Sequence, residues 1–222
     1  DYDLPAQPTL TTIKRGSKSH DAVVVVTKTG MLFAFDRDTG KPIYEIEEKA
    51  VPQSKVPGEV TSPTQPFSTI AALANQSPVT TEDAFGVVFF DKLSCRRQIR
   101  KFESNGIFTP PSLEGIIMRP GYAGGSNWGG VAIDPDRQIA VTNVNEIPAL
   151  VRLVPRADLG RLKAEGKLKG WQITAQRGTP YYLARRIFLS PLNLPCTKPP
   201  WGELVAVDLR SGKILWEENL GT

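Results

Sequence analysis

One histidine and two cysteines in 222 residues leave little room for the commoner metal and nucleophile chemistries. A closed zinc site takes four ligands, mostly Cys and His, so carboxylates would have to supply several here. A Ser-His-Asp or Cys-His arrangement would have to use His20, which falls in the polar stretch Lys14 to Asp21. That stretch reads as a hairpin loop. No apolar run approaches the roughly 18 residues of a membrane-spanning helix, and the longest, Ala22 to Val26, suits a buried strand. The net charge of +4 is mild. Basic residues gather only at Arg96, Arg97, Arg100 and Lys101, read as a solvated strand end, and a nucleic-acid partner is not expected. Helix signals are scarce as well: only Arg156 to Lys169 looks helical, without a clean apolar stripe.

What is present points to a packed chain. An apolar fraction of 40% with both charge signs excludes a disordered tail, and the length suffices for one sizeable domain. Short β-branched and aromatic runs separated by turn residues dominate: Ala22 to Thr27, Met31 to Phe35, Lys41 to Glu47, Gly86 to Phe90, Cys95 to Phe102, Gly130 to Ile133, Ile139 to Asn143 and Leu204 to Val207. The expected fold class is all-β. Cys95 and Cys196 leave two readings open, a disulfide in an oxidising compartment or two small buried hydrophobes.

An internal repeat sharpens the architecture. Leu32-Phe-Ala-Phe-Asp-Arg-Asp-Thr-Gly-Lys-Pro-Ile-Tyr44 matches Leu204-Val-Ala-Val-Asp-Leu-Arg-Ser-Gly-Lys-Ile-Leu-Trp216 over thirteen aligned positions. The offset of 172 divides into four units of 43, the spacing of β-propeller blades. About four to five blades of a larger ring are expected across residues 1–222, as a partial propeller domain. The Asp and Thr or Ser side chains of the frame suit turn bonding, and Tyr44 and Trp216 suit packing between blades. Before Asp1 there is no start methionine, basic leader or cleavage site, and the chain stops after a strand. A fragment of a longer protein is expected.

With the blade frame in place, further segments become recognisable. Asp1-Tyr-Asp-Leu-Pro-Ala-Gln-Pro-Thr-Leu10, Thr27-Lys-Thr-Gly30, Val51-Pro-Gln53, Thr61-Ser-Pro-Thr-Gln-Pro-Phe67, Gly106-Ile-Phe-Thr-Pro-Pro-Ser112, Trp128-Gly-Gly130 and Leu194-Pro-Cys196 follow one another in order. Together they resemble the pyrroloquinoline quinone (PQQ)-dependent quinoprotein dehydrogenases, in particular the membrane-bound glucose and quinate/shikimate branch. The resemblance implies an eight-bladed β-propeller with PQQ on its axis beside a divalent cation, Ca²⁺ or Mg²⁺. It places the catalytic base at Asp1, which also reaches the metal, a quinone-oxygen contact at Lys28, and a further cofactor contact at Asn143. Trp128 and Asn127 are carried over more loosely to the same axis. One departure is Phe85, where relatives tend to carry Trp.

The residue types suit that chemistry. An alcohol proton needs a carboxylate within hydrogen-bond reach, a reduced quinone oxygen gains from an ammonium and a metal, and an amide can both donate and accept. The resemblance further implies a sugar, polyol or cyclic alcohol as substrate, electrons passed to membrane quinone, and a periplasmic location tethered by a segment outside this chain. Substrate specificity is expected on the loops Thr179 to Leu192 and Asn75 to Asp83. The isolated piece is expected to be inactive and to self-associate through exposed strand edges. The rival expectation is a non-catalytic propeller serving as a protein-binding scaffold in envelope assembly. It predicts the repeat without convergence of Asp1, Lys28 and Asn143 on one cavity.

Overall fold

A computed structural model describes residues 2–221. Chain order runs β1 (Thr9–Arg15), β2 (Lys18–Val26), β3 (Leu32–Asp36), β4 (Ile46–Ala50), β5 (Thr64–Ser68), α1 (Phe89–Lys101), β6 (Ile116–Met118), β7 (Ala132–Asp134) and β8 (Ile139–Asn145). Then come β9 (Ala149–Pro155), a 3-10 turn (Arg156–Asp158), α2 (Leu159–Ala164), β10 (Gln172–Ala175), β11 (Tyr181–Ile187), β12 (Gly202–Asp208) and β13 (Lys213–Asn219). The all-β reading holds for most of the chain. Strands assort into a three-stranded sheet β1-β2-β3, two four-stranded sheets β10-β11-β9-β6 and β13-β12-β8-β7, and a ribbon β4-β5.

The β-branched run of β2 explains the first sheet. Alternation buries Ala22, Val24 and Val26 on one face, where each large aliphatic removed from water contributes about 1.5–3 kcal/mol. The polar stretch before it is no extended loop. Arg15 pairs with Lys18 across a two-residue turn, and His20 sits on β2 opposite Ile13.

Both copies of the repeat fold alike. In the first, Asp36 Oδ1 accepts from the Thr39 backbone N–H and hydroxyl at 2.9 and 2.7 Å. In the second, Asp208 accepts from the Arg210 N–H at 3.1 Å and the Ser211 hydroxyl at 2.9 Å. Gly40 and Gly212 close the two turns at φ 69° and 73°, a region that L side chains enter at a cost.

The spacing of the copies corrects the blade arithmetic. Their two sheets are neighbours sharing one core, in which Val24, Val26, Leu32 and Ala34 meet Ala140, Val144, Val205, Val207 and Leu209. Gln138 ties the sheets further, accepting from the Lys14 N–H and donating to the Thr12 carbonyl, both at 2.9 Å. The offset of 172 is therefore a single sheet-to-sheet step and not four. Between β8 and its partner β12 the chain departs to build β9, β10 and β11 of another sheet. Instead of four to five blades, the described residues hold three blade-sized sheets and a ribbon. Tyr44 is buried between the two sheets, as expected of inter-blade packing, whereas Trp216 is 41% exposed.

Two segments expected as strands, Gly86 to Phe90 and Cys95 to Phe102, contribute instead to the helix α1 and its lead-in. Its buried residues Asp91, Cys95 and Ile99 are spaced i, i+4, i+8, one narrow helical stripe among polar neighbours. That stripe packs with Ala84, Ile117, Leu150 and Phe188, and Cys95 is disulfide-bonded to Cys196. The basic knot is thus an exposed helix face. The helix expected over Arg156 to Lys169 shortens to the 3-10 turn and α2.

Candidate functional site

Lys28 lies on the turn joining β2 to β3. The Thr27 and Thr29 hydroxyls are 2.6 Å apart, and Thr27 bonds the backbone of Met31 in both directions, so the turn is held from inside. Over it runs the glycine-rich segment Gly121 to Gly130. The Gly125 N–H donates to the Lys28 carbonyl at 2.8 Å. Gly124 has φ 87°, and a Cβ there would come within 2.4 Å of Lys28 Cγ. Glycine lets one backbone lie directly on the lysine stem.

The Lys28 ammonium is nearly covered, with 15% of the side chain exposed, and its Nζ is 2.5 Å from Asp3 Oδ1. The Lys28 hydrogen bond holds the Asp3 carboxyl below the usual carboxylate range. Both residues line a cavity of about 580 Å³. Its walls come from the first sheet, the ribbon and the sheet containing β6, β9 and β11, with Phe108, Met118, Tyr122 and Arg185 among them. The Tyr2 hydroxyl donates to the Pro120 carbonyl at 2.6 Å, and burial pushes its pKa up. The Arg185 guanidinium stacks on Tyr122 at 4.5 Å and donates to Gln172 at 3.0 Å.

The residues expected to surround a cofactor are distributed as follows. Asp1 lies outside the described residues. Lys28 is in the cavity wall. Asn127, Trp128 and Asn143 are not part of that wall. Asn127 is engaged locally, donating to the Ala123 carbonyl and accepting from the Trp128 N–H. Trp128 is 81% exposed. Asn143 stands on β8 with its Oδ1 against Gly129, where a Cβ would come within 2.8 Å, and its carbonyl accepts from Ser126 at 3.2 Å. The glycine-rich segment therefore links Lys28 at one end to Asn143 at the other. Sequence reasoning missed Asp3 as the partner of Lys28. The signal was the repeated acid in Asp1-Tyr-Asp3.

Of the two loops expected to set specificity, residues 179–192 contribute Leu183 and Arg185 to this cavity. Residues 75–83 border a second, more polar cavity of about 420 Å³ with Arg119 and Glu146. Among the described residues, no group of three or more His, Cys, Asp or Glu side chains is placed to hold a metal ion. A quinone oxygen would fit the Lys28 ammonium, a donor facing a cavity whose other lining includes apolar Phe108, Ile116 and Met118.

Comparison with known proteins identifies the family. Residues 1–222 match the family model described as PQQ: glucose/ethanol/alcohol dehydrogenase, beta-propeller domain. Quinoprotein glucose dehydrogenase A of Acinetobacter calcoaceticus is 40% identical and the quinoprotein glucose dehydrogenase of Escherichia coli strain K12 is 36% identical, each covering all of this chain. The quinate/shikimate dehydrogenase (quinone) of Acinetobacter baylyi is 32% identical over the same extent. The chain spans 28% of the length of each of these relatives. It belongs to the PQQ-dependent glucose/ethanol/alcohol dehydrogenase β-propeller family.

Proposed function

We propose that this chain forms part of the catalytic propeller of a PQQ-dependent dehydrogenase that oxidises a sugar, polyol or cyclic alcohol. The observation carrying this reading is Lys28, an ammonium held by a rigid turn, covered by glycine backbone and turned into a cavity beside Asp3. Bound PQQ would supply the hydride acceptor. Lys28 would donate to the quinone oxygens, stabilising the negative charge that grows there as the substrate is oxidised. With little water around the ammonium, that charge interaction is stronger than in bulk solvent.

Asp1 is the proposed base, holding the proton released by the substrate hydroxyl, and a proposed ligand of Ca²⁺ or Mg²⁺. Asp3 keeps Lys28 charged and oriented until the cofactor binds. Asn143, Asn127 and Trp128 are proposed as more distant cofactor contacts, carried by the segment that also covers Lys28. Membrane quinone as electron acceptor, and a periplasmic location, complete the reading. The disulfide between Cys95 and Cys196 suits an oxidising compartment. Asn143 does not line the cavity of Lys28, the separation that the non-catalytic scaffold predicts, but the family match and the similarity to dehydrogenases favour the catalytic reading.

The test uses the full-length enzyme that carries this chain, reconstituted with PQQ and Ca²⁺ or Mg²⁺, with dye reduction measured over a panel of sugars and polyols. Asp1→Asn should lower turnover by at least about 10²-fold while retaining PQQ. Lys28→Ala should weaken both turnover and PQQ retention. Full turnover in both variants would overturn the assignment.

A further inference from the structure

A notch opens where β10 stops short of the end of β11. Gln172, the first residue of β10, pairs with Arg185, so Arg186 and Ile187 run on without a β10 neighbour. The notch is a cavity of about 440 Å³. Arg185 and Arg186 line it together with Gln172, Ser190 and Asn193, and its lining contains no Asp or Glu. Successive strand side chains point to opposite faces, and the uncovered edge lets these two adjacent arginines border one cavity.

Each guanidinium is held in place by groups that carry no charge. Arg185 stacks on the Tyr122 ring at 4.5 Å and its Nε donates to Gln172 Oε1 at 3.0 Å, which leaves both Nη groups without a partner among the described residues. Arg186 stacks on Trp171 at 4.7 Å, and its Nη2 reaches Gln98 Oε1 at 3.5 Å. Unlike Arg119, Arg161 and Arg210, neither is ion-paired among the described residues. Burial lowers the Arg186 pKa from its ordinary value, with no acid to offset it. Two neighbouring cations repel, and a partly desolvated one without a counter-ion is costly. The turn after β11 adds uncharged donors. Ser190 is 5% exposed, and its Oγ accepts from the Leu192 and Leu194 N–H groups at 3.2 and 3.4 Å, which leaves its O–H to donate. Asn193, at φ 63° with its N–H bonded to the Ser190 carbonyl, lines the same cavity.

We infer that this notch binds a small soluble phosphomonoester, its phosphate dianion lying between Arg185 and Arg186 and its organic group filling the remaining volume. Each planar guanidinium can take two phosphate oxygens, and a doubly charged ion neutralises both cations, whereas a single carboxylate neutralises one. The site goes beyond the proposed dehydrogenase chemistry, and Lys28 is not in its lining. Arg185 borders both cavities, so binding has to be measured with the Lys28 cavity empty and with it filled.

Isothermal titration calorimetry of the full-length protein that carries this chain, with and without PQQ, tests the inference. Phenyl phosphate, a dianion at about pH 8, should bind with equal affinity in both states. Phenyl sulfate has the same ring and one charge fewer, and should bind at least about tenfold more weakly. Arg185→Gln and Arg186→Gln should each lower phenyl phosphate affinity at least about tenfold. Lys18→Gln removes an exposed cation from the β1–β2 hairpin and should leave the affinity unchanged. No saturable heat with phenyl phosphate would overturn the inference, as would loss of binding once PQQ is present or undiminished affinity in Arg186→Gln. Equal affinity for phenyl sulfate would remove the dianion, and tighter binding of malonate would replace the phosphate by a dicarboxylate.

Discussion

Tyr44, in one copy of the repeated turn, donates its hydroxyl to the carbonyl of Leu209 in the other, across 165 residues. The bond is buried, and burial holds the phenol above its ordinary pKa. Tyr44 also covers Gly212, where a Cβ would come within 2.8 Å of its ring. The repeat thus makes each turn and also supplies the contact between the two sheets.

Tyr44→Phe keeps the ring and removes the donor, leaving the Leu209 carbonyl without that partner. Stability should fall by about 1–3 kcal/mol, read as a lower denaturant midpoint with an unchanged slope. A midpoint equal to wild type would show that water takes over the carbonyl and that the ring alone joins the sheets.

The Cys95–Cys196 bond closes a separation of 101 residues, and both half-cystines are fully buried. Cross-linking so long a loop restricts the unfolded chain strongly. The double substitution Cys95→Ala with Cys196→Ala should cost about 2–5 kcal/mol in thermal or urea unfolding. The largest local effect should fall on α1, detectable as faster amide exchange at Ile99 than at Val24 in the first sheet.

Strands β2, β3, β8 and β12 were legible because β-branched alternation and Asp-Thr-Gly or Arg-Ser-Gly turns are local signals. The repeat was legible for the same reason, but its spacing misled. Nothing local records that the partner of β8 arrives only after residues 146–201, so dividing 172 by a blade length counted inserted elements as blades. Helix α1 escaped because only Asp91, Cys95 and Ile99 face inward, and one of the three is charged. At the site, Lys28 was found through its neighbours in sequence. Its ion pair with Asp3 depends on how the chain before β1 crosses the β2–β3 turn, which no spacing encodes.

Gly124 is the position where the covering backbone depends on glycine. Alanine there would occupy φ 87° and drive its Cβ into the Lys28 side chain. In the full-length enzyme, Gly124→Ala should lower PQQ affinity at least tenfold, with a folding cost of about 1–3 kcal/mol from the strained backbone. Gly160 has open space around it and lies in α2, so Gly160→Ala is the matched control and should leave affinity unchanged. Equal affinity in both variants would detach the covering segment from cofactor binding.

Glu146 borders the second cavity, where its Oε1 accepts the Asn75 N–H at 2.8 Å. Burial raises its carboxyl pKa above the ordinary value, and nearby Glu203 and Glu217 push the same way, against the Asn75 bond and Arg119. A raised carboxyl binds its proton more tightly folded than unfolded. Its contribution is therefore most favourable below the unfolded pKa, and stability declines as pH rises through the interval up to the folded pKa. Above that interval the full penalty for a buried carboxylate remains. Glu146→Gln retains an oxygen for Asn75 and carries no charge, so it should be more stable than wild type at pH 7 by about 0.5–2 kcal/mol. The gain should shrink toward zero or reverse near pH 4. Urea unfolding at the two pH values measures it, and an equal difference at both would remove Glu146 as the source.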